Sequence, residues 1–224
     1  FNPKKFLRKT PHISFVKGEA NIAYLKKRYE AISKEPLFEE MEFTTDRKKI
    51  KAWAPLLISK KDEDSSAAAT KIAHGTDVNF GELTKQLLAL LIKQPNVTII
   101  LNSDVKTIKL KKNHGWEIYY SNLLTKNKTV MYASNVFIGA GGKAISLLQQ
   151  MKVKEASGYA GFPVSGKWLV CSNPLVVKKH NAKVYGQALP KSPPMSIPHL
   201  DLRVIEGKNT LMFGPFAGFT FKFL

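Results

Sequence analysis

Residues 135–151 have the sequence NVFIGAGGKAISLLQQM, an apolar run followed by a glycine-rich turn and a second apolar stretch. The first four residues have strand composition, so residues 135–138 are predicted to form a short strand. The spacing of the apolar positions after the turn predicts a helix over residues 144–151. A strand that leads through a glycine turn into a helix is typical of α/β proteins.

The residues before this unit extend the same pattern. A helix is predicted over residues 81–93, with Asp77 or Asn79 as its N-cap and leucines along one face. Alternating apolar and polar positions then predict three strands, over residues 96–110, 116–120 and 129–132. The order helix, strand meander, strand and glycine turn indicates an α/β fold and disfavours a purely helical bundle.

The two ends of the chain have a different character. A helix is predicted over residues 21–32, and the sequence beyond residue 158 is rich in glycine and aromatic residues. A strand is predicted over residues 183–188 and a hairpin around residues 206–209. These flanks favour an antiparallel, α+β portion. Because the chain begins at Phe1 and ends on alternating aromatic residues, we expect it to be a piece of a longer protein.

Composition limits the classes of protein that are possible. The chain has 224 residues, of which 44% are hydrophobic, and a net charge of +18. Lysine supplies 31 of the 35 positively charged residues. Proteins recognise nucleic-acid bases mainly through arginine, so the composition favours a solvated lysine surface over a nucleic-acid-binding surface. The single cysteine, Cys171, excludes an internal disulfide and a four-cysteine zinc site.

The glycine turn matches the pattern GxGxx(G/A) through Gly139, Gly141 and Ala144. A complete dinucleotide fingerprint also needs an acidic residue at the end of a second strand about 20 residues later. The nearest candidate, Glu155, lies in a segment without strand character. We therefore predict a close approach of this backbone to a ligand or to another strand, rather than an independent dinucleotide site.

A second candidate site lies in the segment PHLDLR. On a strand, His199, Asp201 and Arg203 share one face because side chains alternate with a period of two. An imidazole beside a guanidinium can provide a base for a hydroxyl group and an anchor for a carboxylate, as the oxidation of a hydroxy acid requires. The alternative is a surface strand with a ladder of charges. His12 either lines the same site or packs in the core.

Eight segments in order resemble the malate:quinone oxidoreductase family, and they span nearly the whole chain. The longest and most unusual are GYAGFPVSG, PPMSIPHLD and FGPFAGF; the others lie around PHISFVKGE, KKIKAWAPLL, GTDVNFGEL, VFIGAGGKA and AKVYGQA. The resemblance implies a flavoprotein that uses FAD to oxidise (S)-malate to oxaloacetate in the tricarboxylic acid cycle and passes the electrons to a quinone. It also implies a peripheral protein on the cytoplasmic face of the bacterial inner membrane.

The same resemblance implies a fold similar to D-amino-acid oxidase and 2-hydroxyglutarate dehydrogenase, in which an antiparallel substrate domain interrupts a flavin domain. Residues 76–150 would be a middle portion of the FAD domain, and residues 1–75 and 151–224 two portions of the substrate domain. The N-terminal GxGxxG turn of the family and its last flavin segment are not in this chain. We therefore expect the isolated fragment to bind FAD poorly and to be inactive.

Residue roles follow from the resemblance at matching positions. His199 becomes the candidate general base, Arg203 the candidate carboxylate anchor, and His12 and Lys222 weaker candidates for holding the second carboxylate. Val105 would lie near the adenine end of FAD. The other implied cofactor contacts are Gly139, Ala140, Gly141 and Gly142, and, returning towards the isoalloxazine, Gly161, Phe162, Pro163, Val164 and Gly166.

Two other functions stay open at this point. A related FAD-dependent dehydrogenase of another 2-hydroxy acid, such as hydroxyglutarate or lactate, would share these features. A basic module that binds anionic lipid or nucleic acid would share only the charge, although no nucleic acid is expected as a partner. Neither a metal site nor a membrane-spanning segment of about 18 apolar residues is predicted.

Overall fold

The computed structural model describes residues 1–59, 65–111, 115–188, 191–192 and 196–221. The chain divides into two compact units, the first formed by residues 1–90 and 165–218 and the second by residues 91–164 and 219–224. Residues 76–90 therefore group with the first unit and residues 151–164 with the second. The assignment of 1–75, 76–150 and 151–224 to substrate and FAD domains stays a prediction.

The first unit is built on a mixed sheet of seven strands and a separate strand pair. Strands are numbered in chain order through both units: β1 (Leu7–Lys9), β2 (His12–Lys17), β3 (Glu42–Thr44), β4 (Ala67–Ile72), β5 (Thr76–Val78), β9 (Val164–Cys171), β10 (Lys183–Tyr185), β11 (His199–Ile205) and β12 (Lys208–Phe219). The sheet has the order β3-β4-β2-β10-β11-β12-β9, and β1 pairs with β5. β2 and β10 are parallel, whereas the other described pairings of the sheet are antiparallel.

The helices are short and placed around the strands: α1 (Glu19–Ile32), α2 (Arg47–Trp53), α3 (Phe80–Leu91), α4 (Ala144–Gln150) and α5 (Pro174–Val177). Short 3-10 turns cover Pro3–Lys5, Pro55–Leu57, Gly141–Lys143 and Lys154–Ala156. Asn79 caps α3, because its Oδ1 accepts a hydrogen bond of 3.1 Å from the backbone N–H of Glu82. Within the described part of the chain, no helix is long and apolar enough to cross a membrane.

The two faces of the large sheet bury different side chains. One face packs Ile13 and Val184 against Ile50 of α2, and all three are almost fully buried. The opposite face packs Val16 against Leu25 of α1. Because side chains alternate along a strand, the face that carries Val16 also carries His12 and Ser14. This second face is apolar under α1 and becomes polar towards β10 and β11.

The predicted hairpin is confirmed as β11 and β12, which pair from His199 opposite Gly214 to Ile205 opposite Lys208. The two turn residues, Glu206 and Gly207, have φ values of 51° and 77°. Two successive residues with positive φ match the right-handed twist of the strands, and glycine adopts this conformation without steric cost. The turn therefore sets the register that places His199 and Asp201 on the polar face.

The second unit contains the predicted meander. Strands β6 (Ser103–Lys111), β7 (Gly115–Asn122) and β8 (Lys128–Ala133) form an antiparallel sheet in sequence order. A bulge interrupts the pairing of β6 between Val105 and Thr107. The prediction of mixed α and β structure with antiparallel sheets is confirmed.

Two strand predictions were wrong. The strand predicted over residues 96–110 begins only at Ser103, and residues 135–138 form no strand. A strand needs a neighbour for its backbone N–H and C=O groups, and no described strand pairs with either segment. Phe137, predicted to lie in a strand, is instead 96% exposed. An irregular segment therefore precedes the glycine turn, whereas a helix comes after the turn, as predicted.

Candidate active site

His199 lies on the polar face of the first unit's sheet, between two aromatic rings. Its neighbour on β10, Tyr185, is directly opposite in register, and the two ring centroids are 4.3 Å apart in an edge-on arrangement. The ring of Trp168 on β9 lies 5.8 Å from the imidazole. These two side chains restrict the orientation of the imidazole and shield part of it from water.

This environment lowers the pKa of His199. Burial is the main cause because it disfavours the charged imidazolium, and Lys183 acts in the same direction while Asp201 opposes it. The neutral imidazole is therefore favoured at physiological pH. A neutral imidazole can accept a proton, which is the property that a general base needs.

A group of four charges, three of them buried, lies next to His199. Three of the side chains come from the same sheet face as His199, and the fourth, Asp77, comes from β5 of the separate strand pair. Lys183 Nζ is 3.0 Å from Asp77 Oδ1 and 3.5 Å from Asp201 Oδ2. Arg203 Nη1 is also 3.0 Å from Asp77 Oδ1. Asp77, Lys183 and Asp201 are each at most 6% exposed. Two cations and two carboxylates make the group neutral overall, which a buried charge cluster requires.

The contacts within this cluster are ion pairs rather than well-aligned hydrogen bonds. Asp77 Oδ1 meets two cations at 3.0 Å, yet none of these contacts has hydrogen-bond alignment. Asp201 Oδ1 is buried and has no hydrogen-bond partner within the described ranges. The cluster therefore depends on each of its charges, because little hydrogen bonding compensates for their burial.

Arg203 is on the same face as His199, as the period of two predicts. Its guanidinium pairs with Asp77, and its Nη2 donates a hydrogen bond of 3.3 Å to the carbonyl of Val78. Since Asp201 is buried, β11 is not the surface charge ladder of the alternative interpretation. A substrate carboxylate would share this guanidinium with Asp77, and the role of carboxylate anchor stays a prediction.

His12 joins the same face from β2, where it is opposite Lys183 in register. Its ring centroid is 6.0 Å from that of Tyr185, and its Nε2 is buried without a hydrogen-bond partner in the described part of the chain. A Cβ atom at Gly75 would lie 2.4 Å from the His12 ring, so only glycine fits beside it. Lys222, the remaining predicted site residue, lies outside the described residues.

The glycine turn and Val105, both predicted to lie near the cofactor, belong to the second unit. Lys143, which follows the glycine turn, pairs with Asp104 on β6 at 3.3 Å, and Asp104 is the chain neighbour of Val105. Gly141 has a φ of 54°, and a Cβ atom added there would meet nothing within 4 Å. A Cβ atom at Gly139 would approach only the ring of Phe137. The backbone at Gly139 and Gly141 is therefore not covered by other parts of the described chain, and the contacts of Gly139, Ala140, Gly141 and Gly142 with a cofactor stay predictions.

The other residues predicted to contact the flavin lie just before β9 or within its first residues. Gly161, Phe162 and Pro163 are irregular, and the strand starts at Val164. At Gly166 a Cβ atom would lie 2.5 Å from Cβ of Pro215, so the absence of a side chain serves packing within the first unit. Contacts of these residues with a flavin stay predictions.

The sequence interpretation missed Lys183, Tyr185 and Asp77 as members of the site. Lys183 is one lysine among 31, and Asp77 was weighed only as a helix cap. The local sequence offered one indication: Lys183 and Tyr185 are two positions apart in a segment with strand composition, which places their side chains on the same face. Their partners on β5 and β11 are distant in sequence, so the cluster required knowledge of strand pairing.

The fold is shared with solved structures of known class. The chain has the fold of flavin-dependent oxidoreductases: it matches a glycerol-3-phosphate dehydrogenase from Bacillus halodurans complexed with FAD, with a TM-score of 0.58 and 14% identity over 98% of this chain and 36% of that one. It also matches a fructosyl peptide oxidase from Aspergillus nidulans, with a TM-score of 0.62 and 13% identity over 95% of this chain and 46% of that one. At these identities the likeness concerns the fold alone.

Sequence similarity then identifies the family. The family model described as malate:quinone oxidoreductase matches residues 1–224. Proteins named "Probable malate:quinone oxidoreductase" from Flavobacterium johnsoniae and Geobacillus kaustophilus are 48% and 51% identical to this chain over 223 residues. The chain belongs to the malate:quinone oxidoreductase family. It spans 45% and 44% of the lengths of these two relatives.

Proposed function

We propose that the whole protein to which this chain belongs oxidises (S)-malate to oxaloacetate with FAD and passes the electrons to a quinone, a step of the tricarboxylic acid cycle. The observation that carries the proposal is the half-buried imidazole of His199, which lies between Tyr185 and Trp168 on a polar sheet face and has a pKa lowered by burial, in a chain of this family. Malate oxidation needs a proton acceptor for the C2 hydroxyl, and His199 has the required protonation state.

The residues of the second unit fit one part of an FAD site. The open backbone at Gly139 and Gly141 can approach a phosphate or ribose closely, and Lys143, which follows the turn, pairs with Asp104, the neighbour of Val105 on β6. These residues would hold the cofactor together with segments outside this chain. When bound, FAD supplies the acceptor for the hydride that leaves C2 of malate.

The residues of the first unit would carry out the remaining chemistry. His199 would accept the proton of the C2 hydroxyl on the lone pair of its neutral imidazole. At the same time the C2–H bond breaks and the C2 carbonyl forms. Tyr185 and Trp168 would restrict the orientation of the imidazole and shield part of it from water. Arg203 would bind one malate carboxylate, and His12 and Lys222 would assist with the other.

Malate addition to the full-length protein tests this function. Purified protein should have a flavin absorption spectrum, and anaerobic (S)-malate should bleach it, because two electrons pass to the flavin. Lactate and 2-hydroxyglutarate serve as matched controls and should leave the spectrum oxidised. Bleaching by one of these acids and not by malate would show a different 2-hydroxy-acid dehydrogenase. A colourless protein with strongly salt-dependent binding to nucleic acid or lipid would support the basic module.

We also propose that the protein is peripheral and lies at the cytoplasmic face of the bacterial inner membrane. The net charge of +18 supports this, because anionic lipids attract lysine by about 1 kcal/mol for each residue near the surface. Full-length protein should sediment with vesicles that contain phosphatidylglycerol, and raised salt should release it. Vesicles of phosphatidylcholine alone are the control. Equal sedimentation with both, or degradation by protease added outside spheroplasts, would contradict the proposal.

A further inference from the structure

A cavity of about 650 Å³ lies in the first unit, between α1 and the sheet face that carries His12, Ser14 and Tyr185. Cavities that bind cofactors and other small molecules have volumes of about 300–1,000 Å³. Neither His199 nor Arg203 lines this space, whereas His12 does. The cavity is therefore a candidate for a second ligand. A second ligand here would take His12 away from the second malate carboxylate and leave Lys222 as the candidate for that role.

The walls of the cavity are mainly hydrocarbon. Leu25 of α1 is almost fully buried, and the half-buried side chains of Phe38 and Met41 close the wall beyond the helix. Among the described residues that line it, none carries a carboxylate. A ligand here would place an apolar body against these walls and would meet no negative charge.

The polar groups of the cavity can all donate hydrogen bonds. Arg28 Nη1 donates to Ser14 Oγ over a long 3.4 Å, and a guanidinium has five N–H donors, so this contact uses one of them. Burial raises the pKa of Tyr185, which keeps its hydroxyl protonated. His12 Nε2 is buried and lacks a hydrogen-bond partner within the described ranges. Such a nitrogen is stabilised by a ligand that completes its hydrogen bonding.

We infer that this cavity binds the head group of a quinone. A quinone has an apolar ring, which suits the hydrocarbon walls, and two carbonyl oxygens that only accept hydrogen bonds, which suits the donors Arg28, Tyr185 and His12. A four-carbon dicarboxylate would fill only a small part of the cavity. Its two negative charges would also face a single guanidinium, that of Arg28. The inference deepens the proposed function and rests on it.

The site has a direct structural connection to His199. Tyr185 lines the cavity, and the same ring packs against the imidazole at 4.3 Å. In the overall reaction malate loses two electrons and two protons, and the quinone gains two electrons and two protons at its carbonyl oxygens to become a quinol. Arg28, Tyr185 and His12 would bind and orient those oxygens.

The test uses two substitutions in the full-length protein, Arg28→Ala, which removes a donor, and Met41→Trp, which fills the cavity. Each should raise the Kd of a short-chain ubiquinone at least tenfold, as measured by calorimetry on the oxidised protein. Each should also raise the KM for that quinone, but not the KM for malate or the rate with ferricyanide as acceptor. Arg8→Ala is the matched control, because Arg8 is outside the cavity and bonds to Asn181.

Three results separate failure of this site from failure of the proposed function. An unchanged quinone Kd in Met41→Trp would overturn the site, and this variant decides the matter if Arg28→Ala does not fold. A raised KM for malate with an unchanged quinone Kd would make the cavity a malate site. Wild-type protein that does not oxidise malate would refute the proposed function, while the quinone Kd of the variants would still test the cavity.

Discussion

Replacing His199 by glutamine in the full-length protein should lower malate turnover by about 10²–10⁴-fold, the usual contribution of a general base. Glutamine keeps a polar side chain of similar reach between Tyr185 and Trp168, but it cannot accept the C2 hydroxyl proton. The flavin spectrum should remain, because the predicted cofactor contacts lie on other residues. Steady-state assays with malate and a quinone measure the loss.

The pH dependence of wild-type turnover gives a second measure of the same role. Because burial lowers the pKa of His199, the base should remain neutral, and the enzyme active, to a pH below the ordinary histidine range. Activity should then fall as the pH drops through this lowered pKa, and His199→Gln should lack that acidic limb. His74→Gln is the matched control, since His74 is exposed and pairs with the exposed Glu40. Unchanged turnover in His199→Gln with flavin bound would show that another group is the base.

Replacing Lys183 by methionine should destabilise the protein by about 3–5 kcal/mol, the usual cost of removing one partner from a buried ion pair. The substitution keeps most of the side-chain volume but leaves Asp201 without its cation and Asp77 with Arg203 alone. Urea unfolding of the full-length protein, followed by circular dichroism, measures the change in the midpoint and the free energy of unfolding.

Lys85→Met is the control for this prediction. Lys85 pairs with Glu206 at 3.7 Å, but both side chains are mostly exposed, so its loss should change stability by at most about 1 kcal/mol. The double variant Lys183→Met/Asp201→Asn should recover part of the loss, because it also removes the unpaired carboxylate. If Lys183→Met were no more destabilising than Lys85→Met, the four charges would not form a buried ion cluster.

The secondary structure was predictable where the local sequence pattern agrees with the strand pairing in the folded chain. The meander and the hairpin follow from alternation and from Glu206-Gly207, and α3 follows from its leucine face and Asn79. Residues 135–138 have the same strand composition and form no strand. Composition shows that a segment can be a strand, but a strand also needs a neighbour to satisfy its backbone hydrogen bonds.

The sequence by itself determined the family, the mixed α and β class, and the shared face of His199, Asp201 and Arg203. These depend on residue identity and on the period of a strand, which are local properties. Tertiary structure alone decided that Asp77 pairs with Lys183 and Arg203, that Tyr185 contacts His199, and that Arg28 lines a cavity. Each of these depends on burial or on contacts between elements distant in the chain. Burial determines the pKa of His199, and no sequence pattern specifies burial.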